Sequence, residues 1–522
     1  MAAPPGLPYS ESRGGPNAAF TEGDHVLAPE APKIAGWLEK RKYLLLILLT
    51  FMYLAGALGQ AGGRPFWYDE IFTLIAAKSP DLATTWKVAV ATDANPPLPH
   101  LLTHISIRLF GLNEVSARLP AIAGFWVLCL CLFRLVERRK GAVYGLCALL
   151  MPTLTYAYFY ATEARAYGLE LGFAGIALAA WQSAAEKRYR YVALPALALA
   201  LACIMLCHYY GVLVYLPVAG AELWRAWRAR RVDWGVWIAL AVGGQPLVWR
   251  LETILGAVGG FTHTWAPVYL RQGLEFWEGG LAPGAAFAAL FVGVLALARC
   301  RAGVIGADED VVPEHEWVAG ALLLAIPIAA VTGALLVTHT FTERYALLGL
   351  AGFCLLTPLV AAEFFGRRGT GGIVLLSVMF GGAAIRLMDH AAKGNPYENE
   401  PVLKEALEQG PVVIPDGQLF MQMWHYAPER LKPRLMYLAD DAAALKYLGF
   451  DSIESSLRGL LPWAPVHVME YREFAQPGRE FLLYQNSLRP GWVLSRVADD
   501  GASSSIRKVA LFRQLVSVRL RN

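Results

Sequence analysis

From Tyr43 to about residue 389 the chain alternates long apolar runs with short polar breaks, and it loses that pattern on either side. A membrane crossing needs about 20 apolar residues. On that measure about eleven spans are predicted, at 43–60, 117–136, 142–160, 167–184, 191–208, 211–226, 234–254, 284–300, 317–338, 346–363 and 370–388. They are too many and too long for the buried helices of a soluble protein. Residues 1–42 are rich in Pro, Gly and Ser, lack periodicity and read as a disordered cytoplasmic N-terminus ending in Glu39-Lys40-Arg41-Lys42. Apolar residues begin too late for a signal peptide. Residues 390–522 switch to short mixed elements. A helix over Pro401–Gln409 stops at Gly410, strands are expected at 411–415, 434–438, 465–469 and 480–484, a helix at 440–448, and closing strands through Phe512 and Val518. The predicted fold class is a polytopic α-helical membrane protein with a small C-terminal α/β extracytoplasmic domain.

Composition agrees. Of 522 residues 56% are hydrophobic and only 17% charged, where soluble chains run near a quarter. The deficit belongs to 43–389 alone, because the tail is about 23% charged. A net charge of +4 gives no electrostatic case for nucleic acid. Lys and Arg gather in alternate loops, at 134–140, 186–190, 225–231, Arg299 to Arg301 and Arg367-Arg368. The positive-inside rule makes those loops cytoplasmic and the C-terminal domain external, in a multi-pass protein of the plasma (inner) membrane. Trp224 and Trp227 suit interfacial anchors.

The polar residues of the opposite side form five knots. The first external loop, 60–117, is long for a bundle connection, and long loops are often functional. It carries Phe66-Trp67-Tyr68, then Asp69-Glu70, then amphipathic patterns at 71–77 and 101–110 that predict helices lying in the membrane plane. Adjacent carboxylates at a helix start have a plain use in complementing the helix dipole. Here, three aromatics precede Asp69, where desolvation raises basicity. Asp93-Ala94-Asn95-Pro96-Pro97 follows on a stiffened backbone. Tyr160 to Tyr167 holds Glu163 and Arg165, ionisable groups at a membrane boundary that pair with each other or with a loop in the plainest reading and otherwise mark function. His208-Tyr209-Tyr210 and His339 to Tyr345, with Arg344, complete the set.

All seven cysteines lie in apolar segments, which argues against a disulfide framework. Cys203, Cys207 and His208 have metal-like spacing, but buried thiols beside a polar rim residue explain them more simply. His263 reads as a loop histidine and Asp308-Glu309-Asp310 as a solvated loop.

Trp67-Tyr68-Asp69-Glu70, Asn95-Pro96-Pro97-Leu98, Gly111 to Pro120 with Glu114 and Arg118, and Glu163 to Tyr167, in that order, resemble the GT-C superfamily of membrane glycosyltransferases. The branch is the one that holds protein O-mannosyltransferases and the lipid A aminoarabinose transferase. Arg344-Tyr345 resembles a fifth element. Asn95 departs from the family's frequent His. The resemblance implies a polyprenyl-phosphate-sugar donor, a glycan, lipid or protein acceptor hydroxyl on the external face, and Asp69 as catalytic base. Arg165 and Arg344 are then the phosphate-binding candidates. Glu70, Asp93, Glu163 and His208 are candidates for positioning substrates or a divalent ion, for which oxygen ligands suit magnesium or manganese, and Asn95, Tyr167 and Tyr345 for binding substrate. A single base and in-line attack imply inversion, giving a hexosyl- or pentosyltransferase. Two other readings remain: a lipid transporter or flippase, although no internal repeat is evident, and a non-catalytic envelope assembly protein on the same scaffold.

Overall fold

The computed structural model describes residues 31–93, 95–252, 265–281, 293, 311–367, 369–389, 392–488 and 490–521. Helix α1 runs Ala31–Gly63, so residues 31–42, assigned to the leader by their composition, are helical. Three short helices fill the first loop: α2 (Tyr68–Ala77), α3 (Leu82–Thr92) and α4 (Leu98–Phe110). Then come α5 (Glu114–Lys140), α6 (Ala142–Leu150), α7 (Ala157–Ala161), α8 (Tyr167–Ala185), α9 (Arg190–Cys207) and α10 (Tyr215–Ala229). Five helices among the described residues are long and apolar enough to cross a membrane: α1, α5, α9, Leu348–Phe365 and Thr370–Met388. A sixth is formed if Glu314–Leu324 and Ile326–Thr338, bent by 49°, act together. The chain is a multi-pass membrane protein.

Several expected spans are interrupted. The 142–160 run breaks into α6, a 3-10 turn at Met151–Leu154 and α7. The 234–254 run breaks between Trp234–Gly243 and Gln245–Trp249. Each break lies beside a proline (Pro152, Pro246), which removes a helical N–H. The expected span 284–300 and the end of 234–254, together with His263 and 308–310, lie outside the described residues.

Helices α5 and α8 cross in close contact because small residues line the crossing. A Cβ on Gly124 would lie 2.5 Å from the Gly168 carbonyl oxygen, and one on Gly168 would lie 2.5 Å from that of Ala121. Small residues let membrane helices approach backbone to backbone. The crossing fixes the 162–166 turn beside the N-terminal end of α5. Cations at the other end of α5 are neutralised: Lys42 and Arg134 pair with Glu137, Arg139 with Glu186 and Glu316, and Lys140 with Glu363. From Arg118 to Lys140 the helix rises roughly 33 Å, so the two polar ends are far apart.

The C-terminal domain is one six-stranded sheet in the order β3-β2-β1-β4-β6-β5. Strands β1 (Val412–Val413), β2 (Leu435–Ala439), β3 (Val468–Glu470) and β4 (Glu480–Asn486) are parallel neighbours, and β5 (Ser503–Ala510) and β6 (Arg513–Arg519) add an antiparallel edge. Helices Pro401–Gln409 and Asp441–Leu448 fall where composition places them; Gly417–Tyr426, Ser452–Leu460 and Trp492–Asp499 are additional.

The domain docks on α2, not only on its own core. Phe66, Ile71, Phe72 and Leu74 share one apolar cluster with Leu419, Phe420, Met423 and Tyr437. The Phe66 N–H donates to Tyr426 Oη (2.7 Å), which donates to Glu114 Oε1 (2.9 Å), and Gln422 Nε2 donates to the Phe66 carbonyl (3.0 Å). The apolar face of the helix expected at 71–77 packs on protein: α2 is buried between the membrane helices and the domain. The apolar side of α4, with Ile105, Leu109 and Phe110 exposed, is the part of the loop suited to lipid.

Candidate active site

Asp69 and Glu70 begin α2 but point to different partners, because successive helical residues lie about 100° apart. Asp69 Oδ2 lies 2.9 Å from Arg344 Nη1. Glu70 is completely buried and holds Arg118 in a two-pronged pair, Nε–Oε1 and Nη2–Oε2 both 2.7 Å. Its oxygens also accept from the Ala164 N–H (2.7 Å) and the Trp67 N–H (3.3 Å). Arg118 Nη1 donates to the carbonyls of Ala61 and Arg64, each 2.6 Å. Glu70 is therefore a latch joining α1, α2, α5 and the 162–166 turn.

The remaining knots converge on Asp69. Arg165 Nη1 donates to Asp93 Oδ2 (2.8 Å) and to the Asp69 carbonyl (3.3 Å). Glu163 and Arg165 do not pair with each other; each finds a partner in the first loop, and Glu163 Oε1 accepts from Arg64 Nη2 at 3.1 Å. Asn95 braces Asp93, both its N–H (2.9 Å) and its Nδ2 (2.8 Å) donating to Asp93 Oδ1. His100 Nε2 stands 3.4 Å from Asp93 Oδ2. Burial opposes charge on Asp93, but Arg165 and His100 outweigh it and hold the carboxyl well below the usual carboxylate range. Burial, then the charge of Glu70, push Glu163 up to about 8 against the pull of Arg64.

Arg344 sits among rings. Its guanidinium lies 5.8 Å from the centroids of Trp67 and Tyr167, 5.9 Å from Trp265 and 6.0 Å from Tyr345. Such contacts stabilise a cation without neutralising it. His208 packs on Tyr167 and Tyr345 at 5.5 and 5.1 Å, and Tyr345 stacks on Tyr210 at 4.5 Å. His208 and Tyr345 thus form the wall behind Arg344.

Two cavities meet at Arg344 and Tyr160. One, of about 440 Å³, is walled by Trp265, Tyr269, Gln272, Glu275 and Phe341. The other, of about 630 Å³, lies under the C-terminal domain. Among the described residues no three His, Cys, Asp or Glu side chains group to hold a metal ion. Asp69, Asp93 and Glu163 are each matched by an arginine, so the arrangement does not fit a divalent cation.

The loop motifs bring Asp69, Asp93, Asn95, Glu163, Arg165, Tyr167, His208, Arg344 and Tyr345 together. Arg64, His100 and Trp265 were not singled out in the sequence. Arg64 carries a signal only in hindsight, as a lone cation just before the aromatic cluster.

Residues 94–249 match the family model described as dolichyl-phosphate-mannose-protein mannosyltransferase. The structure is similar to that of ArnT from Cupriavidus metallidurans in the apo state, at 14% identity and a TM-score of 0.59, covering 93% of this chain and 98% of that one. It is likewise similar to ArnT from the same organism bound to undecaprenyl phosphate, at 15% identity and a TM-score of 0.57, covering 92% and 98%. No curated protein sequence matches the chain. The expected resemblance holds at the level of the fold: the chain shares the fold of ArnT over nearly its whole length.

Proposed function

We propose that this GT-C-fold membrane protein moves a sugar from a polyprenyl-phosphate-sugar donor to an acceptor hydroxyl on the extracytoplasmic face, with inversion. The observation that carries the reading is the juxtaposition of one carboxylate with two half-buried arginines: Asp69 on Arg344, and Arg165 on the Asp69 carbonyl and Asp93. The fold-sharing ArnT binds undecaprenyl phosphate, and the family model over 94–249 describes a transferase with a lipid-phosphate sugar donor.

The chemistry follows from the charges. Glycosyl transfer from a lipid phosphate develops negative charge on the departing phosphate oxygen, where preorganised cations lower the barrier. Arg165 and Arg344 supply them, and Arg344 can grip phosphate through two nitrogens. When phosphate takes Arg344, Asp69 is released. The Asp69 carboxylate then takes the proton of the acceptor hydroxyl as its oxygen attacks the anomeric carbon. The carbon–oxygen bond to phosphate breaks, and its electron pair leaves with the lipid phosphate. One displacement gives inversion, whereas retention by the double-displacement route needs a covalent sugar intermediate. Topologically, the Lys/Arg loops face the cytoplasm and the site and C-terminal domain face outward.

The test is to incubate the purified full chain with polyprenyl-phosphate-sugar and extracted envelope material. The expected result is free lipid phosphate released in step with a glycosylated product. Donor that crosses the bilayer chemically unchanged would instead mark a flippase.

A further inference from the structure

The two cavities on either side of Arg344 differ in their walls. The larger is shared between the membrane part and the C-terminal domain, with Tyr156, Phe159 and Glu163 on one side and Asn399 and Gln422 on the other. We propose that this cavity binds a saccharide, the acceptor's own sugar ring, with Tyr156 as its stacking face and Glu163, Trp67 and the two amides as its hydrogen-bonding rim. The inference rests on the reading that the neighbouring Asp69–Arg344 pair is the transfer centre, and it names the acceptor class that reading leaves open.

Three buried polar atoms on residues of this wall have no partner in the protein: Trp67 Nε1, Glu163 Oε2 and Arg344 Nε. Unpaired buried groups are costly, and Trp67 and Glu163 would be relieved by a ligand bearing both donors and acceptors. Glu163 is only 1% exposed. Burial and the charge of Glu70 push its carboxyl up, so it takes a proton readily and can donate from one oxygen while Arg64 holds the other. Sugar hydroxyls present such mixed donor and acceptor sites.

The aromatic residues point the same way. Tyr156 and Phe159 are stacked, 5.6 Å apart with planes 13° apart, and both are half-buried. Arg64 covers Phe159 at 4.2 Å, so Tyr156 is the ring left for an apolar sugar face. An extended peptide would seek a strand edge. The sheet's two edge strands, β3 and β5, contribute no residue to the cavity. A bare phosphate would leave the rings and amides unused.

The test is saturation-transfer NMR on the full chain in detergent, with methyl hexopyranosides, a serine-containing peptide and inorganic phosphate as separate probes. Tyr156→Ala and Asn399→Ala are compared with wild type. Undecaprenyl phosphate binding is measured on the same samples as the check on folding and on the donor reading. The expected result is glycoside binding by wild type, weakened about tenfold in each variant, the loss of roughly one hydrogen bond or stacking contact. Unchanged glycoside affinity in both variants would overturn the proposal, as would binding of the peptide or phosphate in place of the glycosides. Failure of undecaprenyl phosphate to bind wild type would overturn the donor reading and leave the glycoside result to stand by itself.

Discussion

Asp69 and Arg344 lie 275 positions apart in the chain and meet at 2.9 Å. The pair joins the start of α2 to the loop before Leu348–Phe365, so the proposed base and the proposed phosphate cation restrain each other until substrate arrives. Capture of the donor phosphate by Arg344 is then what exposes the base.

Arg344→Ala should lower kcat/KM for the donor about 10²–10³-fold, the usual effect of removing one group that stabilises developing charge. Arg344→Lys should recover only part of it, because lysine offers a point charge where arginine offers a planar fork. Steady-state kinetics with the lipid-linked sugar checks both. Full activity in Arg344→Ala would remove Arg344 from the site.

The Glu70–Arg118 pair should behave as structure. Removing one partner of a buried ion pair destabilises by about 3–5 kcal/mol, so Arg118→Ala should lower thermal stability sharply. Glu70→Leu with Arg118→Met should recover much of the loss. If Glu70→Gln leaves stability untouched and selectively raises KM, Glu70 is a substrate contact after all.

Glu163 gives a pH dependence with a definite sign. Its carboxyl is raised from 4.5 to about 8, so the folded chain binds this proton more tightly than the unfolded one. The stability it contributes is complete below about 4.5 and declines as pH rises toward 8. Thermal melts between pH 5 and 8 should show that decline in wild type and a flatter profile in Glu163→Gln. Parallel profiles would contradict the raised pKa.

The scarcity of charge made much of the site legible. In residues 43–389 an Asp, Glu or Arg at a span boundary stands out, and Asp69, Asp93, Glu163, Arg165 and Arg344 all gather at one end of the bundle. Their pairing was not legible, because partners such as Arg64 and Arg118 lie about 50–100 positions from the residues they meet. That Glu70 turns away from Asp69 toward Arg118 was not legible either, because neighbours in sequence occupy different faces of a helix. That α2 packs its apolar face on the C-terminal domain was not legible, because an amphipathic pattern fits a protein surface as well as a membrane surface. The breaks near Pro152 and Pro246 were hidden inside runs whose hydrophobicity is continuous.

The most direct test of the account is Asp69→Asn in the full chain, assayed for sugar transfer with binding of undecaprenyl phosphate measured alongside. Loss of a general base costs about 10²–10⁴-fold. The predicted result is transfer reduced by at least about a hundredfold, with lipid phosphate still bound and the protein still folded. Near-normal turnover in Asp69→Asn would contradict the assignment of the base and the mechanism built on it.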